Sequence, residues 1–154
     1  MSFRTAAILS AVLLTLFPPV LRAGGTADRY LGYRWKPVLL SSWSGKGSAP
    51  EVLENMEAFR ALADAEAEEG QGRYITDITD GFWYYASAYS WSLPEETGWK
   101  LPGRDGQVPT ATSLKTAQML SDAWHALSGP VGARLPALEK ALRDTMKRLT
   151  GQDL

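Results

Sequence analysis

From Ser48 to the C-terminus, apolar residues recur at intervals of three and four, the spacing that places them on one face of an α-helix. The first such stripe consists of Val52, Met56, Phe59 and Ala63, widened by Leu53 and Leu62. Ser48 and Glu51 have the spacing of a capping box, and Gly70 follows the acidic end of the stripe. We therefore predict a first helix that begins near Ser48 and ends before Gly70.

The segment from Arg73 to Trp91 is rich in β-branched and aromatic residues, which also suit strands. Its apolar positions nevertheless keep helical spacing, at Ile75, Ile78, Phe82, Tyr85, Ala86 and Tyr89. A strand would bury Asp77 beside Ile75 and place aromatic residues on both faces. The pattern favours a second helix, in which Gly81 would allow close approach of a neighbouring helix.

Two more stripes follow. Thr110 opens the third helix, whose inward face is predicted to carry Leu114, Ala117, Leu120, Trp124 and Leu127. Gly129 and Pro130 are predicted to break it. The fourth helix begins near Pro136, and the residues predicted to face inward are Leu135, Leu138, Leu142, Met146 and Leu149. About four amphipathic helices predict an all-α fold, a compact bundle over residues 48–154.

Two segments lack this periodicity. Residues 24–47 are predicted to form an irregular arm whose aromatic residues pack across the helices, although Trp35 and Val38 also suit a brief edge strand. Residues 93–108 form a long loop with two prolines and three glycines. Loops of this length are usually functional or disordered, and Trp99 near the centre favours a docked loop.

The first 23 residues have the pattern of a cleavable signal peptide. Arg4 precedes an uncharged run from Thr5 to Leu21, and Ala23 is a small residue at the predicted cleavage site. The alternative is an uncleaved membrane anchor, which the internal Pro18-Pro19 pair disfavours. We expect an exported, periplasmic protein that has no membrane attachment after cleavage.

Charge and cysteine content narrow the function classes. Removal of the leader would leave 14 basic and 17 acidic residues, a net charge of −3 with histidine neutral, which disfavours nucleic-acid binding through a basic face. The chain has no cysteine, which excludes thiol catalysis and thiolate zinc sites. The fold must then be held by packing rather than by disulfides, and no cofactor or metal is predicted.

Candidate catalytic residues are few. His125 is the single histidine, and no nucleophile pairs with it in sequence. Asp77 and Asp80 lie three apart, near Tyr84, and could share a proton or bind a cation, but acids at this spacing usually form a solvated face. We predict that the protein is not an enzyme. A cell-wall hydrolase that uses Asp77 and Asp80 is an alternative function.

Aromatic residues are the densest feature of the chain. The four consecutive aromatics from Phe82 to Tyr85 cannot all face one core, so Trp83 and Tyr84 are predicted at a flank, under the arm or against another protein. Aromatic side chains are enriched in binding hot spots. The predicted partner-binding residues are Trp83, Trp91, Trp99, Lys100, Arg104 and Asp105.

The order of the segments GRYITDITDGFWYYASA, VPTATSLKTAQMLSDAWHAL and PALEKALRDTMKRL resembles the Rap/Tai family of type VI secretion immunity proteins. The family's helix motif is matched at Tyr74, Ile75, Ile78 and Asp80, while Asp77 stands where the family has glycine. Later helices look similar at Pro109, Leu114, Pro136, Ala137, Ala141 and Leu142. The resemblance covers about Pro50 to Leu149. The paired cysteines of the family are absent, and Val108 stands where the first is expected.

The resemblance implies a periplasmic all-α protein, often a homodimer, that binds a cognate toxin such as a peptidoglycan amidase and occludes its active cleft. The alternative function is a small envelope stress or chaperone protein, which would also be helical and exported.

Overall fold

The computed structural model describes residues 24–45, 48–100 and 109–154. Within these ranges the chain forms five packed α-helices and no strand, which confirms the predicted all-α compact bundle. The helices are α1 (Gly24–Ala27), α2 (Pro50–Glu69), α3 (Ile75–Ser87), α4 (Ala111–Arg134) and α5 (Leu138–Thr150). Short 3-10 helices occupy Asp28–Tyr30, Leu40–Trp43 and Pro94–Thr97. The predicted signal peptide, residues 1–23, lies outside the described residues.

Helix α2 begins at Pro50, whose missing N–H costs nothing in a first turn. Its cap position is Ala49, without a side-chain bond, so the predicted capping box of Ser48 and Glu51 is wrong. Ser48 lies one residue too early to cap this helix. The other end is as predicted, because Gly70 adopts a φ of +60° and donates its N–H to the Glu66 carbonyl at 2.7 Å.

The turn between α2 and α3 is organised by a buried carboxylate. Glu66 is 3% exposed, and its two oxygens accept hydrogen bonds from the N–H of Gly72 at 2.5 Å and of Tyr74 at 2.9 Å. A buried charge needs such partners to remain in the core. The turn therefore leads the chain directly into α3.

Helix α3 packs most extensively against α5. The Thr145 hydroxyl donates to the Ala86 carbonyl at 2.6 Å, and the Arg148 guanidinium donates to the carbonyls of Ala88 at 3.0 Å and Tyr89 at 3.3 Å. These carbonyls lie at the end of α3, where helical partners run out. Side chains of α5 thus complete the hydrogen bonding of the C-terminal end of α3.

Helix α4 continues through Pro130 to Arg134, so the predicted break at Gly129 and Pro130 is wrong. Proline inside a helix costs about 3 kcal/mol. Val131, one residue later, is fully buried, and Leu127 is 5% exposed. Because burial of each such side chain contributes about 1.5–3 kcal/mol, packing outweighs the lost hydrogen bond.

One core joins the helices. Its largest fully buried side chains are Trp91, Tyr74, Phe59, Phe82, Leu62, Ile75, Ile78, Leu120, Leu138, Leu142, Met146 and Leu149. Two leucines that were predicted to face inward are exposed, Leu53 by 53% and Leu114 by 38%. Each lies in the first turn of its helix. None of the helices in the described ranges combines enough length and apolar character to span a bilayer.

The arm, residues 24–45, packs on α2 and α3. Asn55 of α2 is fully buried and holds the arm backbone, since it accepts from the Lys36 N–H at 3.1 Å and donates to the Lys36 carbonyl at 2.8 Å. Its side-chain oxygen also accepts from the Tyr33 hydroxyl at 3.0 Å. A second attachment joins Asp28 to the Tyr74 hydroxyl at 2.7 Å and to the Arg73 guanidinium. The predicted packing of arm aromatics across the helices is found, whereas the alternative edge strand is not formed.

Gly81 is the position where the arm approaches α3. The predicted close approach of a neighbouring helix is found, because the ring of Phe59 from α2 lies here, but the indole of Trp35 from the arm lies at least as close. A side chain at Gly81 would occupy the space that these two rings fill. Tertiary packing of an irregular segment, which carries no periodic signal, decides the role of this glycine.

Candidate partner-binding site

The predicted partner-binding residues divide into three groups. Trp99 and Lys100 are exposed on the turn after the 3-10 helix Pro94–Thr97, and Trp83 is exposed on α3. Trp91 is buried in the core. Arg104 and Asp105 lie outside the described residues.

Trp91 is a correction to the predicted interface. Its side chain is 2% exposed, its indole N–H donates to the Tyr85 carbonyl at 3.1 Å, and its ring contacts that of Tyr85 edge-on at 6.2 Å. The chain leaves α3 at Ser87 and turns back, which carries the indole beneath the helix end. Trp91 therefore belongs to the structural support of the site and not to its surface.

The aromatic run on α3 is divided by its surroundings. Phe82 and Tyr85 are buried, and Tyr84 lies under the arm, with its ring stacked on Trp35 at 5.7 Å. Trp83 is 49% exposed. Of the two residues predicted to lie at a flank, Tyr84 is therefore covered by the arm and Trp83 faces solvent.

The ends of the long loop are clamped together. One Glu96 carboxylate oxygen accepts from the Leu93 N–H at 3.0 Å, and the other accepts from the Thr112 N–H at 3.0 Å and the Thr112 hydroxyl at 2.9 Å. Next to this clamp, the Thr110 hydroxyl donates to the Ser92 hydroxyl oxygen at 2.9 Å. Residues 92–96 and 110–112 therefore share one hydrogen-bond network at the start of α4.

The Glu96 carboxyl group is stabilised in its charged form at the start of α4. Partial burial raises the pKa of the Glu96 carboxyl, but hydrogen bonds from Leu93 and Thr112 outweigh it, so the pKa lies below its usual value. A negative charge is also favoured at a helix N-terminus, here that of α4. The carboxylate is thus held ionised where it closes the loop.

Thr110 caps α4, as the sequence predicted. Its side-chain oxygen accepts from the Ser113 N–H at 3.1 Å, and its own N–H donates to the Ser113 hydroxyl oxygen at 2.8 Å. This reciprocal pair satisfies an otherwise orphan donor of the helix. The loop consequently enters α4 with a defined geometry.

The clamp residues Glu96, Ser92 and Thr112 were missed by sequence reasoning. A glutamate three residues after Leu93 and two after Pro94 is a weak signal for a capped turn. The bond from Glu96 to Thr112 joins residues 16 apart, which no local pattern reveals.

Trp99 has an unusual backbone. Its φ is +57°, in the left-handed region that bulky residues rarely adopt, and the preceding Gly98 has a φ of +61°. The Trp99 N–H donates to the Pro94 carbonyl at 2.8 Å, which closes the turn. The side chain is 38% exposed. A glycine would occupy this position without steric cost, so the indole is displayed at the expense of local strain.

The candidate catalytic residues have other surroundings. Asp77 accepts a hydrogen bond from the Gly32 N–H at 3.1 Å and so attaches the arm to α3, while Asp80 is exposed. His125 is exposed, and its Nδ1 lies 2.7 Å from the Ser121 carbonyl oxygen, one turn earlier in α4. Among the described residues, no three histidine, aspartate or glutamate side chains are grouped closely enough to hold a metal ion.

A comparison of the chain with protein-family models and with curated proteins finds no match.

Proposed function

We propose that the protein is a periplasmic immunity-type protein that binds a secreted toxin, such as a peptidoglycan amidase, and occludes it. The clamped loop carries this proposal. It displays Trp99 and Lys100 on a turn that is closed by the bond from the Trp99 N–H to the Pro94 carbonyl and joined to Thr112 of α4 through Glu96. An aromatic anchor is the type of residue that dominates protein interfaces. The resemblance of the helix motif around Tyr74 to the Rap/Tai immunity proteins supplies the class of partner.

Pre-organisation supports the choice of the turn from Pro94 to Lys100. The bond from the Trp99 N–H to the Pro94 carbonyl and the bonds of Glu96 hold this turn. A segment that is already held in place loses less conformational entropy when it binds, so more of the contact free energy appears as affinity. The left-handed backbone of Trp99 also supports this turn as the binding site, because strained backbone conformations cluster at functional sites. Trp83, exposed on α3, is proposed as a second contact.

The test is protection against a toxin in the periplasm. An immunity protein is expected to be encoded next to its toxin, so the candidate toxin is a secreted protein from a neighbouring gene. It would be produced in the periplasm with and without the full chain, and cell lysis would be followed. We expect protection by the wild type and direct binding of the two purified proteins. Absence of both binding and protection would refute the proposal.

Two substitutions distinguish binding through this loop from binding through another part of the surface. Trp99→Ala should leave the helical circular dichroism unchanged and weaken binding at least about tenfold, the usual effect of a hot-spot aromatic. The matched control is Tyr89→Ala, which removes an aromatic of 53% exposure from outside the loop. If Tyr89→Ala weakens binding and Trp99→Ala does not, the interface lies elsewhere.

The alternative function, an envelope chaperone, is favoured by one observation. Leu39 is 62% and Leu40 71% exposed on the arm, and chaperones present apolar surface to unfolded clients. Suppression of the aggregation of reduced, unfolded lysozyme would support it, and a Leu39→Ser and Leu40→Ser double variant should lose that activity. Binding of the neighbouring toxin with no effect on lysozyme would reject it.

A further inference from the structure

Helices α2 and α4 enclose a groove of about 680 Å³ that is open to solvent. Its lining combines apolar side chains, Met56, Ala61 and Met119, with charged and polar ones, Glu57, Arg60, Asp64, Lys115 and Gln118. Two of the four methionines of this chain therefore face one surface groove. The proposed immunity function makes no use of this groove.

The sulfur atoms differ in accessibility. Met56 is half-buried, Met119 is 8% exposed and Met146 is fully buried. Because the chain has no cysteine, methionine thioethers are its only readily oxidised sulfur atoms. Exposure ranks Met56 ahead of Met119 and Met146.

Thr116 is the polar neighbour of the Met56 sulfur atom. The Thr116 hydroxyl lies 3.5 Å from the Met56 sulfur and 2.9 Å from the Thr112 carbonyl oxygen. A hydroxyl has one proton, and the carbonyl is the stronger and closer acceptor for it. A sulfoxide oxygen is a much stronger acceptor than a thioether, so oxidation would bring a competing acceptor beside Thr116.

We propose that Met56 is an oxidation site of this protein, which peroxide converts to methionine sulfoxide and which couples oxidation to the packing of α2 on α4. In this step a sulfur lone pair attacks one oxygen of hydrogen peroxide, an S–O bond forms and the O–O bond breaks. The departing hydroxide takes the proton of the transferred oxygen and leaves as water. Sulfur is oxidised by two electrons and peroxide is reduced. The product places a polar S=O group in the α2–α4 contact.

The order of oxidation is the first test. The full chain would be exposed to hydrogen peroxide under native conditions, and the methionines compared by peptide mass spectrometry over time. Met56 should be oxidised at least about tenfold faster than Met146, because reactivity follows exposure. Equal rates for Met56 and Met146, or an unreactive Met56, would overturn the proposal.

The second test concerns the coupling to packing. Oxidised wild type should melt about 3–6 °C lower than the reduced protein, and methionine sulfoxide reductase should restore the original midpoint. Met56→Leu, which conserves volume, should show no such shift on oxidation. An equal drop in Met56→Leu would assign the effect to another methionine and refute the coupling. Should that variant fail to fold, the order of oxidation in the wild type still decides the site.

Discussion

Trp35 of the arm lies so close to Gly81 of α3 that a Cβ atom at Gly81 would come within 2.5 Å of the Trp35 ring atom Cζ2. The same Cβ would lie 2.7 Å from the Phe59 Cδ2 atom. The indole also stacks on Tyr84 at 5.7 Å. The absence of a side chain at one helical position thus creates the seat that joins the arm to the bundle.

Gly81→Ala should therefore destabilise the protein by about 1–3 kcal/mol, the range for overpacking a filled core. Alanine normally stabilises a helix interior relative to glycine by up to about 1 kcal/mol, so the sign of the effect is diagnostic. Gly132→Ala in α4 is the matched control, because a Cβ there meets no atom within 4 Å. Urea unfolding would measure both. A Gly81→Ala variant as stable as Gly132→Ala would contradict the close packing of Trp35.

Asn55→Ala should destabilise the protein by about 2–3 kcal/mol and loosen the arm. The substitution removes the hydrogen bonds that Asn55 makes with the Lys36 N–H, the Lys36 carbonyl and the Tyr33 hydroxyl, and each such bond contributes about 0.5–1.5 kcal/mol. Hydrogen exchange at the Lys36 amide should accelerate relative to the amides of α5.

Glu96→Gln should destabilise the protein by about 1 kcal/mol at neutral pH, because it removes a charge from the N-terminus of α4 and replaces one of two acceptor oxygens with an NH2 donor. The pKa of Glu96 is lowered in the folded state, so its contribution is fully present above the unfolded value of 4.5 and is lost as pH falls through the lower folded pKa. The stability difference between wild type and variant should accordingly shrink below pH 4.5.

Thermal unfolding at several pH values would measure this difference. Glu95→Gln is the control, since Glu95 belongs to the same 3-10 helix and bonds to neither loop end through its side chain. A difference between wild type and Glu96→Gln that persists unchanged at pH 3 would show that the charge of Glu96 is not responsible.

Trp99→Gly should be more stable than Trp99→Ala by about 1 kcal/mol, the reverse of the usual order for these residues. Both variants lose the indole, but only glycine adopts a φ of +57° without steric cost. Chemical denaturation of the pair measures the strain directly. Equal stabilities would mean that the turn relaxes when the indole is removed.

The sequence predicted the helices well where apolar spacing was regular. Ile75, Ile78 and Phe82 identified α3 despite their β-branched and aromatic character, and Thr110 was recognised as the cap of α4. The prediction failed at Pro130, because local rules include the hydrogen bond lost at a proline but not the burial of Val131. The capping box predicted at Ser48 was wrong because α2 begins one residue later than the sequence suggested.

The candidate site was harder to predict. Trp99 and Lys100 were identified from an aromatic in a long loop, but Trp91, selected on the same composition, is core. Composition does not distinguish the two tryptophans, because the direction in which the chain turns after Ser87 decides which one is covered. The hydrogen bonds between Thr112 and Glu96 likewise cannot be predicted from sequence, because they depend on the position of α4 in the fold.

The sequence by itself determined the helical class, the helix that each apolar stripe forms, and the absence of any disulfide, because these depend on local spacing and on residue type. Only the tertiary structure decided that Trp35 fills the space over Gly81, that Asn55 holds the arm and that Glu96 closes the loop. The physical reason is that each of these contacts joins residues more than 15 positions apart, where selection among partners depends on shape and hydrogen bonding in three dimensions.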